Sequence, residues 1–335
     1  MSGKVPPRLL ESLVFTKLGT YDPAVLVGPA VGEDAAIIDL GNGSALVVHN
    51  DAISGASTLL GWLAVHIVAN DVATRGVKPR WFLMTLFLPE NASPSLLENI
   101  MSQVDSAARE LEMMVVGGHT ETTPGLERPL VGTTAIGVAP LNQVVSTKGA
   151  RVGDFVILTK YAGIEGTAVI CTDFCHLLVE RGVPREVIEK GSRLVQRVSV
   201  VPEALALAEK RLATAMHDPT EGGVLGGAAE LAYASKKTLE LWADKVPILN
   251  ETRAVTEALG LDPLKLISSG TLIATVPASK VDEAIEVVKN LNLEASVVGR
   301  VKEWNGHLVE LIKGGTVTHV DDVYVADELF KLWKN

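Results

Sequence analysis

The sequence predicts an α/β (α+β) protein of two domains. The chain has 335 residues, which is more than a single hydrophobic core usually accommodates. Short β-branched segments also alternate with longer amphipathic ones, as expected for packed layers of sheet and helix. A polar, glycine-containing turn that begins at Val145 divides this pattern. We therefore expect an N-terminal domain at 1–145 and a C-terminal domain at 146–335.

In the N-terminal domain, apolar β-branched segments predict strands at 31–39, 45–49, 80–88, 113–116 and 131–138. Helical spacing of apolar residues predicts helices at 57–75 and 93–112. Ser93 fits the N-cap of the second helix and Pro94 its first position. The order of these elements indicates a sheet with helical crossovers.

In the C-terminal domain, the same patterns predict strands at 155–159, 239–242, 271–276, 295–301 and 308–312. The predicted helices lie at 166–181, 185–209, 223–235, 250–259, 279–291 and 322–334, and a turn covers 217–223. The two cysteines, Cys171 and Cys175, are four residues apart in a predicted helix. Two thiols do not make a zinc site, so we interpret them as semi-buried helical residues.

Composition excludes several classes of function. The net charge is −10 and the isoelectric point is near 5.3, which disfavours a nucleic-acid or anionic-membrane partner. No apolar run approaches the ~18 residues of a membrane span, and the N-terminus lacks a signal-peptide core, so we expect a cytoplasmic protein. The chain has no P-loop, no GxGxxG at a strand–helix junction and no GxSxG elbow. An acidic protein can still bind a nucleotide if a divalent cation neutralises the contact.

Asp71 is the most informative single residue. The apolar residues of the predicted helix at 57–75 follow one face: Leu60, Leu63, Ala64 and Ile67. Asp71 continues that face, and an unpaired buried carboxylate is too costly to leave uncompensated. Arg75, one turn further, offers an ion pair, and a metal ion offers the alternative. Because Asp34 and Asp51 are also placed at ends of predicted elements, we favour the metal.

Two glycine-bracketed acidic segments follow or precede predicted strands. Gly32-Glu33-Asp34-Ala35-Ala36 is interpreted as a short turn of small residues, just after which the predicted strand in 31–39 begins, and Asp51 follows the strand at 45–49. Gly117-Gly118-His119-Thr120-Glu121 is predicted to be a turn in which glycine permits positive φ and close approach of a ligand. Ordinary polar turns and a solvated histidine are the alternatives. Mg²⁺ holding a polyphosphate suits such carboxylates, since it takes one or two of them and keeps waters.

A third segment, His217 to Gly223, is predicted to open a helix. Asp218 fits the N-cap, Pro219 the first position and Glu221 the third, as in a capping box. Gly222 and Gly223 are not explained by capping, because glycine in a first turn costs about 1 kcal/mol relative to alanine. Close packing against a ligand or another backbone would explain them, and a helix N-terminus is a ready anion site.

Five motifs, in order within residues 25–305, resemble those of the PurM-like (aminoimidazole-ribonucleotide synthetase-related) family of ATP-dependent enzymes. In this chain they are Gly32-Glu33-Asp34-Ala35-Ala36, His49-Asn50-Asp51, Asn70-Asp71-Val72-Ala73, Val116-Gly117-Gly118-His119-Thr120 and His217-Asp218-Pro219-Thr220-Glu221-Gly222-Gly223. The family forms are Gly-Asp-Asp-Ala, Thr-Thr-Asp, Asn-Asp-x-Ala, Gly-Gly-(Asp/Glu)-Thr and Arg-Asp-Ala-Thr-Arg-Gly-Gly. The last is the wording of the hydrogenase-maturation (HypE) branch, which this chain resembles most.

The resemblance implies a homodimer in which the N-terminal sheets pair around a central barrel, and an α/β C-terminal domain. It implies ATP and Mg²⁺ in a cleft between the domains, near the dimer interface. The implied catalytic residues are Asp71, His217 and Asp218, and the implied metal ligands are Asp34, Asp51, Asp71 and Glu121. The implied cofactor-binding residues are Gly32, Asp34, Asn70, Gly117, Gly118, Thr120, Gly222 and Gly223.

Two departures from the family pattern shape the functional hypotheses. His119 stands where the family has an acid, and Glu121 is the candidate replacement. No cysteine follows Cys175, whereas the HypE branch holds its acceptor on a C-terminal cysteine. We expect an enzyme that uses Mg-ATP to phosphorylate a small-molecule or carbamoyl-type oxygen on an unidentified, free or protein-bound acceptor. The alternatives are a non-catalytic binding or assembly protein and a small-molecule kinase of the thiamine-monophosphate kinase type.

Overall fold

The computed structural model describes residues 3–334 and contains two β-sheets built from separate parts of the chain. The first sheet uses residues 25–140 and the second uses residues 155–320. None of the helices in this described part is long and apolar enough to cross a membrane. The mixed α/β architecture confirms the fold class expected from the sequence.

The first sheet has the strand order β1-β2-β3-β6-β4-β5, and only the β4–β5 pair is parallel. Its strands are β1 (Val25–Val27), β2 (Ala36–Asp39), β3 (Ser44–Ile53), β4 (Pro79–Pro89), β5 (Met114–Thr123) and β6 (Leu130–Pro140). The helices of this part are α1 (Pro7–Leu9), followed by a π-helical turn at Leu10–Val14, then α2 (Leu60–Thr74) and α3 (Pro94–Glu110). The Ser93 hydroxyl accepts a hydrogen bond from the Leu96 N–H, so the predicted cap is confirmed.

The second sheet has the order β13-β12-β9-β11-β7-β10-β8, and only the β9–β12 pair is parallel. Its strands are β7 (Phe155–Thr159), β8 (Ala215–His217), β9 (Thr238–Trp242), β10 (Ile273–Val276), β11 (Ala295–Lys302), β12 (Val309–Lys313) and β13 (Thr316–Val320). The helices are α4 (Ile164–Asp173), α5 (Cys175–Glu180), α6 (Arg185–Ser192), α7 (Val201–Glu209), α8 (Gly223–Ser235), α9 (Asn250–Leu259) and α10 (Val281–Asn290).

Three predicted helices were wrong in extent. The helix at 166–181 is broken at Phe174, which has non-helical φ and ψ of −117° and 20°. The region 185–209 is divided into α6, a 3₁₀ turn and α7, because Pro202 fits only the first turn of a new helix. The terminal segment 322–334 is helical only as a 3₁₀ turn at Leu329–Lys334. The short strands β1, β8 and β13 were not predicted.

Helix α2 is buried on nearly all sides because it packs against the first sheet, against α3 and against α7 of the C-terminal part. Only Trp62 among its residues is more than marginally accessible. The burial predicted for Asp71 is therefore correct, but the apolar stripe does not distinguish it from its neighbours. What distinguishes Asp71 is that it is the one acidic residue in this helix.

Candidate functional site

A cleft with a volume of about 360 Å³ lies where α2 and β3 of the first part meet the loop after β8 and helix α8 of the second. Its wall is unusually acidic. The carboxylic acids that line it are Glu33, Asp34, Asp51, Asp71, Asp218, Glu221, Glu230 and Asp327. The fold therefore gathers three of the predicted acids, Asp34, Asp51 and Asp71, around one space.

Within residues 3–334, no group hydrogen-bonds to the Oδ2 atom of Asp71, although the residue is only 6% exposed. The His49 Nε2 is 3.5 Å from Oδ2, but burial lowers the pKa of this imidazole, which favours its neutral form. Burial, together with the carboxylates of Asp218 and Asp51, raises the pKa of Asp71 well above its usual range. The ion pair with Arg75 that the sequence allowed does not form. A cation in the cleft would resolve the unpaired carboxyl.

Arg75 instead binds the other acidic turn. Its guanidinium lies 2.7 Å from Glu33 Oε2 and 3.1 Å from Asp34 Oδ2, and its side chain is completely buried. Asp34 also accepts a hydrogen bond from the Thr74 hydroxyl at 2.9 Å and contacts His217 Nδ1 through Oδ1. Burial alone would raise the pKa of Asp34, but His217 and Arg75 lower it to about 2. Both oxygens of Asp34 thus already have protein partners.

His217 is held between two acids. Its Nδ1 contacts Asp34, and its Nε2 is 2.8 Å from Glu230 Oε2. Burial would lower the pKa of the imidazole, but Asp34 and Glu230 raise it to about 10, so the ring is charged near neutral pH. Because both ring nitrogens are engaged, His217 is not free to accept a proton. In this geometry His217 fixes the positions of Asp34 and Glu230, and the catalytic role that the resemblance implied for it stays a prediction.

Asp218 differs sharply from its neighbour. Neither carboxyl oxygen has a hydrogen-bond partner in the part of the chain that the structure describes, and the residue is 1% exposed. Burial and the charge of Asp34 raise the pKa of Asp218 to about 7. The capping box predicted here is wrong, because α8 begins at Gly223 and its N-cap is Gly222. The Asp218 carboxylate therefore does not cap a helix and can bind a ligand in the cleft.

Gly222 and Gly223 pack against the protein's own backbone. Their φ angles are 83° and 61°, and a Cβ would lie 2.7 Å from Val325 O at Gly222 and 2.6 Å from Leu266 O at Gly223. The Gly222 N–H donates to Asp327 Oδ2 at 2.7 Å. Of the two explanations that the sequence left open, close backbone approach is the one observed. Gly32 is explained in the same way, since its Cβ would lie 2.4 Å from Glu230 O.

The segment Gly117–Glu121 lies inside strand β5, so the predicted turn is wrong. Gly118, with φ of 151°, is required there because a Cβ would lie 2.0 Å from Met84 O on β4. His119 Nε2 is 2.9 Å from Glu121 Oε2, and both side chains are exposed at the sheet edge. Within one chain, the predicted site residues Gly117, Gly118, Thr120 and Glu121 do not line the cleft.

The Asn70 side chain is hydrogen-bonded to the protein backbone. Its Nδ2 donates to Val198 O and its Oδ1 accepts from the Val200 N–H, each at 2.8 Å, and the residue is fully buried. These bonds join α2 to the segment before α7. A contact of this side chain with a cofactor, which the resemblance implied, would have to break them.

Among the cleft residues that sequence reasoning missed are the charged residues Lys4, Glu230 and Asp327. Glu230 is the only charged residue in α8, as Asp71 is the only acidic residue in α2, and this signal could have found it. Lys4 had no comparable signal, because its position depends on how residues 3–18 pack across the cleft. The Lys4 ammonium is 3.2 Å from Glu230 Oε1.

The residues present fit a magnesium ion. Two groups of candidate ligands have atoms within 4.8 Å of one another: His49, Asp51 and Asp71, and Asp34, His217 and Asp218. Mg²⁺ prefers carboxylate oxygens and keeps several waters. Asp71 and Asp218 have the unpartnered buried oxygens that such an ion requires, whereas the oxygens of Asp34 are engaged by the protein.

Together these features define a two-domain α/β protein with a carboxylate-walled cleft at the meeting of its domains. The chain belongs to the AIR synthase related protein family. The model of the family's N-terminal domain matches residues 32–139, and the model of its C-terminal domain matches residues 151–310. This confirms the resemblance inferred from the motifs.

Individual relatives point to one branch of the family. A protein named for hydrogenase expression and formation in Methanocaldococcus jannaschii is 26% identical over 325 residues, covering 93% of this chain and 92% of its own. The carbamoyl dehydratase HypE of Cupriavidus necator is 28% identical over 289 residues, covering 84% and 80%.

Solved structures show the same fold. HypE of E. coli superposes with a TM-score of 0.75 at 24% identity, covering 92% of this chain and 94% of that chain. A hydrogenase maturation protein HypE in complex with ATP superposes with a TM-score of 0.67 at 23% identity, covering 98% and 96%. At this level of identity the likeness establishes the fold, which confirms the two-domain PurM-like architecture.

Proposed function

We propose that the protein is an Mg²⁺-dependent enzyme that uses ATP to phosphorylate a carbonyl-type oxygen of its acceptor. The principal observation is the pair of buried, unpartnered carboxyls of Asp71 and Asp218 beside Asp51 in the interdomain cleft. The name carbamoyl dehydratase of one relative and the ATP complex of a protein with this fold support the assignment. Activation of a carbamoyl oxygen by phosphorylation is consistent with a later dehydration.

In this proposal Asp51, Asp71 and Asp218 would hold the magnesium ion. When bound, the ion neutralises charge on the phosphates and so favours phosphoryl transfer. Because Asp71 and Asp218 have raised pKa values, they must release protons before they can serve as ligands. The contacts of Arg75 and His217 with Asp34, described above, hold the Asp34 carboxylate in place on the side of the cleft next to Asp218.

A titration tests the proposal. We expect ATP to bind the purified protein with Mg²⁺ and not with EDTA, and carbamoyl or amide acceptors to stimulate ADP formation. Absence of binding under both conditions would contradict an enzyme and favour a binding or assembly protein on this scaffold. A stable phosphorylated small-molecule product would instead assign the protein to the kinases.

We also propose that the protein acts as a homodimer, formed through the first sheet. Among the described residues, strand β5 pairs only with β4 and so forms a free edge of the sheet. Its apolar residues Met114, Val115 and Val116 are 67%, 38% and 47% exposed. The sheet face opposite α2 also leaves a set of apolar side chains only half-buried: Leu46, Val48, Trp81, Leu83, Phe87, Ile136 and Val138. A second copy of this face would bury them, as the family resemblance implies.

Charge placed on β5 should separate the subunits. We expect the double variant Met114→Lys, Val116→Lys to elute as a monomer where the wild type is a dimer, since edge lysines oppose strand pairing and apolar burial. Size-exclusion chromatography with light scattering measures this. Val179→Lys, at a 66% exposed position on α5, is the matched control and should remain dimeric. A monomeric wild type would contradict the proposal.

A further inference from the structure

His49 lies beside two of the acids to which the proposed function assigns the metal ion. His49 and Asp51 are two residues apart on strand β3, and alternate residues of a strand point to the same side of the sheet. The imidazole reaches helix α2 on this side, where its Nε2 is 3.5 Å from Asp71 Oδ2. All three side chains line the cleft, so the fold places one ring nitrogen among the carboxylates.

The separation of His49 and Asp71 is longer than that of a strong hydrogen bond. An N–H···O bond joins atoms about 2.7–3.2 Å apart, whereas Nε2 and Oδ2 are separated by 3.5 Å. Two atoms bound at about 2.0–2.2 Å to one ion lie about 2.8–3.6 Å apart when they subtend about 90–109° at the ion. Ligand atoms of His49, Asp51 and Asp71 all lie within 4.8 Å of one another. The three residues therefore have the spacing of ligands that share one cation.

The His49 ring is also in the protonation state that a metal ion requires. A histidine ligand must be neutral, because the coordinating nitrogen needs its lone pair. Burial lowers the pKa of His49, although Asp51 and Asp34 act in the opposite direction, and this favours the neutral imidazole. Asp71 Oδ2, which faces the ring, is buried with no hydrogen-bond partner among the described residues. A cation between the two atoms would give both of them a partner.

The second histidine of the cleft is not available in this way. The ring nitrogens of His217 contact Asp34 and Glu230, so both are already engaged by carboxylates. Of the two histidines that line the cleft within the described residues, His49 is therefore the one that can supply a nitrogen ligand.

A nitrogen ligand changes which cation a site prefers. Mg²⁺ is held by oxygen ligands, whereas imidazole nitrogen suits transition metals, and a site of mixed nitrogen and oxygen ligands discriminates among dications by ligand type. A ring nitrogen with two carboxylates is thus a set in which an ion such as Mn²⁺ gains from the nitrogen and Mg²⁺ gains little.

We propose that His49 Nε2 is a direct ligand of the cation held by Asp51 and Asp71, and that this nitrogen makes the site prefer a transition-metal dication such as Mn²⁺ to Mg²⁺. The proposal rests on the metal site of the proposed function and extends that site by one ligand. It concerns the free protein as well as its nucleotide complex, because all three ligands belong to this chain.

Electron paramagnetic resonance of Mn²⁺ bound to the purified protein tests the nitrogen ligand. The experiment uses Mn²⁺ alone, because ATP carries nitrogen atoms of its own. We expect spin-echo modulation from a directly coordinated nitrogen in the wild type and its loss in His49→Gln, whose amide oxygen can replace the ring nitrogen as a ligand. His176→Gln, at an exposed position on α5, is the matched control and should keep the modulation.

Calorimetric titration with Mn²⁺ and with Mg²⁺ tests the preference. The wild type should bind Mn²⁺ more tightly than Mg²⁺. His49→Gln should raise the Kd for Mn²⁺ by about 10-fold and change the Kd for Mg²⁺ less, since magnesium loses little when an oxygen replaces the nitrogen. Thermal unfolding of the metal-free proteins should show that His49→Gln is folded.

Three results would overturn the assignment of His49. They are nitrogen modulation that persists in His49→Gln, a wild type that shows none with Mn²⁺, and a Kd for Mn²⁺ that the substitution leaves unchanged. A wild type that shows the modulation but binds ATP with neither cation would support the nitrogen ligand and overturn the proposed function. The two proposals can therefore fail separately.

Discussion

Asp71→Asn is expected to abolish detectable Mg²⁺-dependent binding of ATP. The asparagine keeps the shape of the side chain but removes the charge that would face the metal ion. Asp71 Oδ2 is buried and has no hydrogen-bond partner among the described residues, so the substitution breaks no hydrogen bond of this oxygen there. Asp218→Asn should have the same effect, since both oxygens of Asp218 are likewise unpartnered. Calorimetric titration with Mg-ATP measures both.

The stability of these variants separates loss of a ligand from loss of the fold. Burial and neighbouring carboxylates disfavour the charged forms of Asp71 and Asp218, so a neutral amide should leave the thermal midpoint unchanged or raise it. Asp105→Asn, which removes a 63% exposed carboxylate on α3, is the control and should bind Mg-ATP normally. Unchanged binding in Asp71→Asn and in Asp218→Asn would remove the basis for the proposed metal site.

The sequence predicted the acidic residues of the site better than its glycines. A carboxylate in an apolar helix is costly wherever the helix packs, so Asp71 could be identified as the one acidic residue of α2. A glycine, by contrast, shows only that some group comes close to the backbone. At Gly118 and Gly223 that group is another part of this chain, Met84 O and Leu266 O, and these pairings depend on tertiary packing that spacing does not contain.

The sequence also did not predict which charged groups form ion pairs with each other. Arg75 lies one helical turn after Asp71, and local spacing favours a pair between them. The structure instead directs Arg75 to Glu33 and Asp34, more than forty positions away. The Asp218 capping box failed for a related reason: close packing of Gly222 and Gly223 moves the start of α8 beyond the residues that local capping rules selected.

Arg75→Leu is expected to lower the free energy of unfolding by about 3–5 kcal/mol or more. Arg75 is completely buried, and its loss would leave the buried Glu33 carboxylate without its cation and Asp34 with His217 as its remaining cationic partner. Its guanidinium also donates to the Thr147 hydroxyl at 2.7 Å and to the Met216 carbonyl, so acceptors beyond residue 145 lose a donor as well. Chemical denaturation followed by circular dichroism measures the change.

The loss of stability in Arg75→Leu should come mainly from carboxylates that lose the guanidinium as a partner. Lost packing should contribute less, since leucine replaces much of the apolar part of the arginine side chain. Adding Glu33→Gln and Asp34→Asn to Arg75→Leu should therefore recover part of the stability, although Asp34→Asn also weakens the contact with His217. Arg109→Leu, at an exposed pair with Asp105 on α3, is the matched control and should shift the denaturation midpoint little. If Arg75→Leu shifted the denaturation midpoint no more than Arg109→Leu does, the ion pairs of Arg75 would not be what holds Glu33 and Asp34 against the second domain. The fixed geometry inferred for Asp34 and His217 would then lose its physical basis.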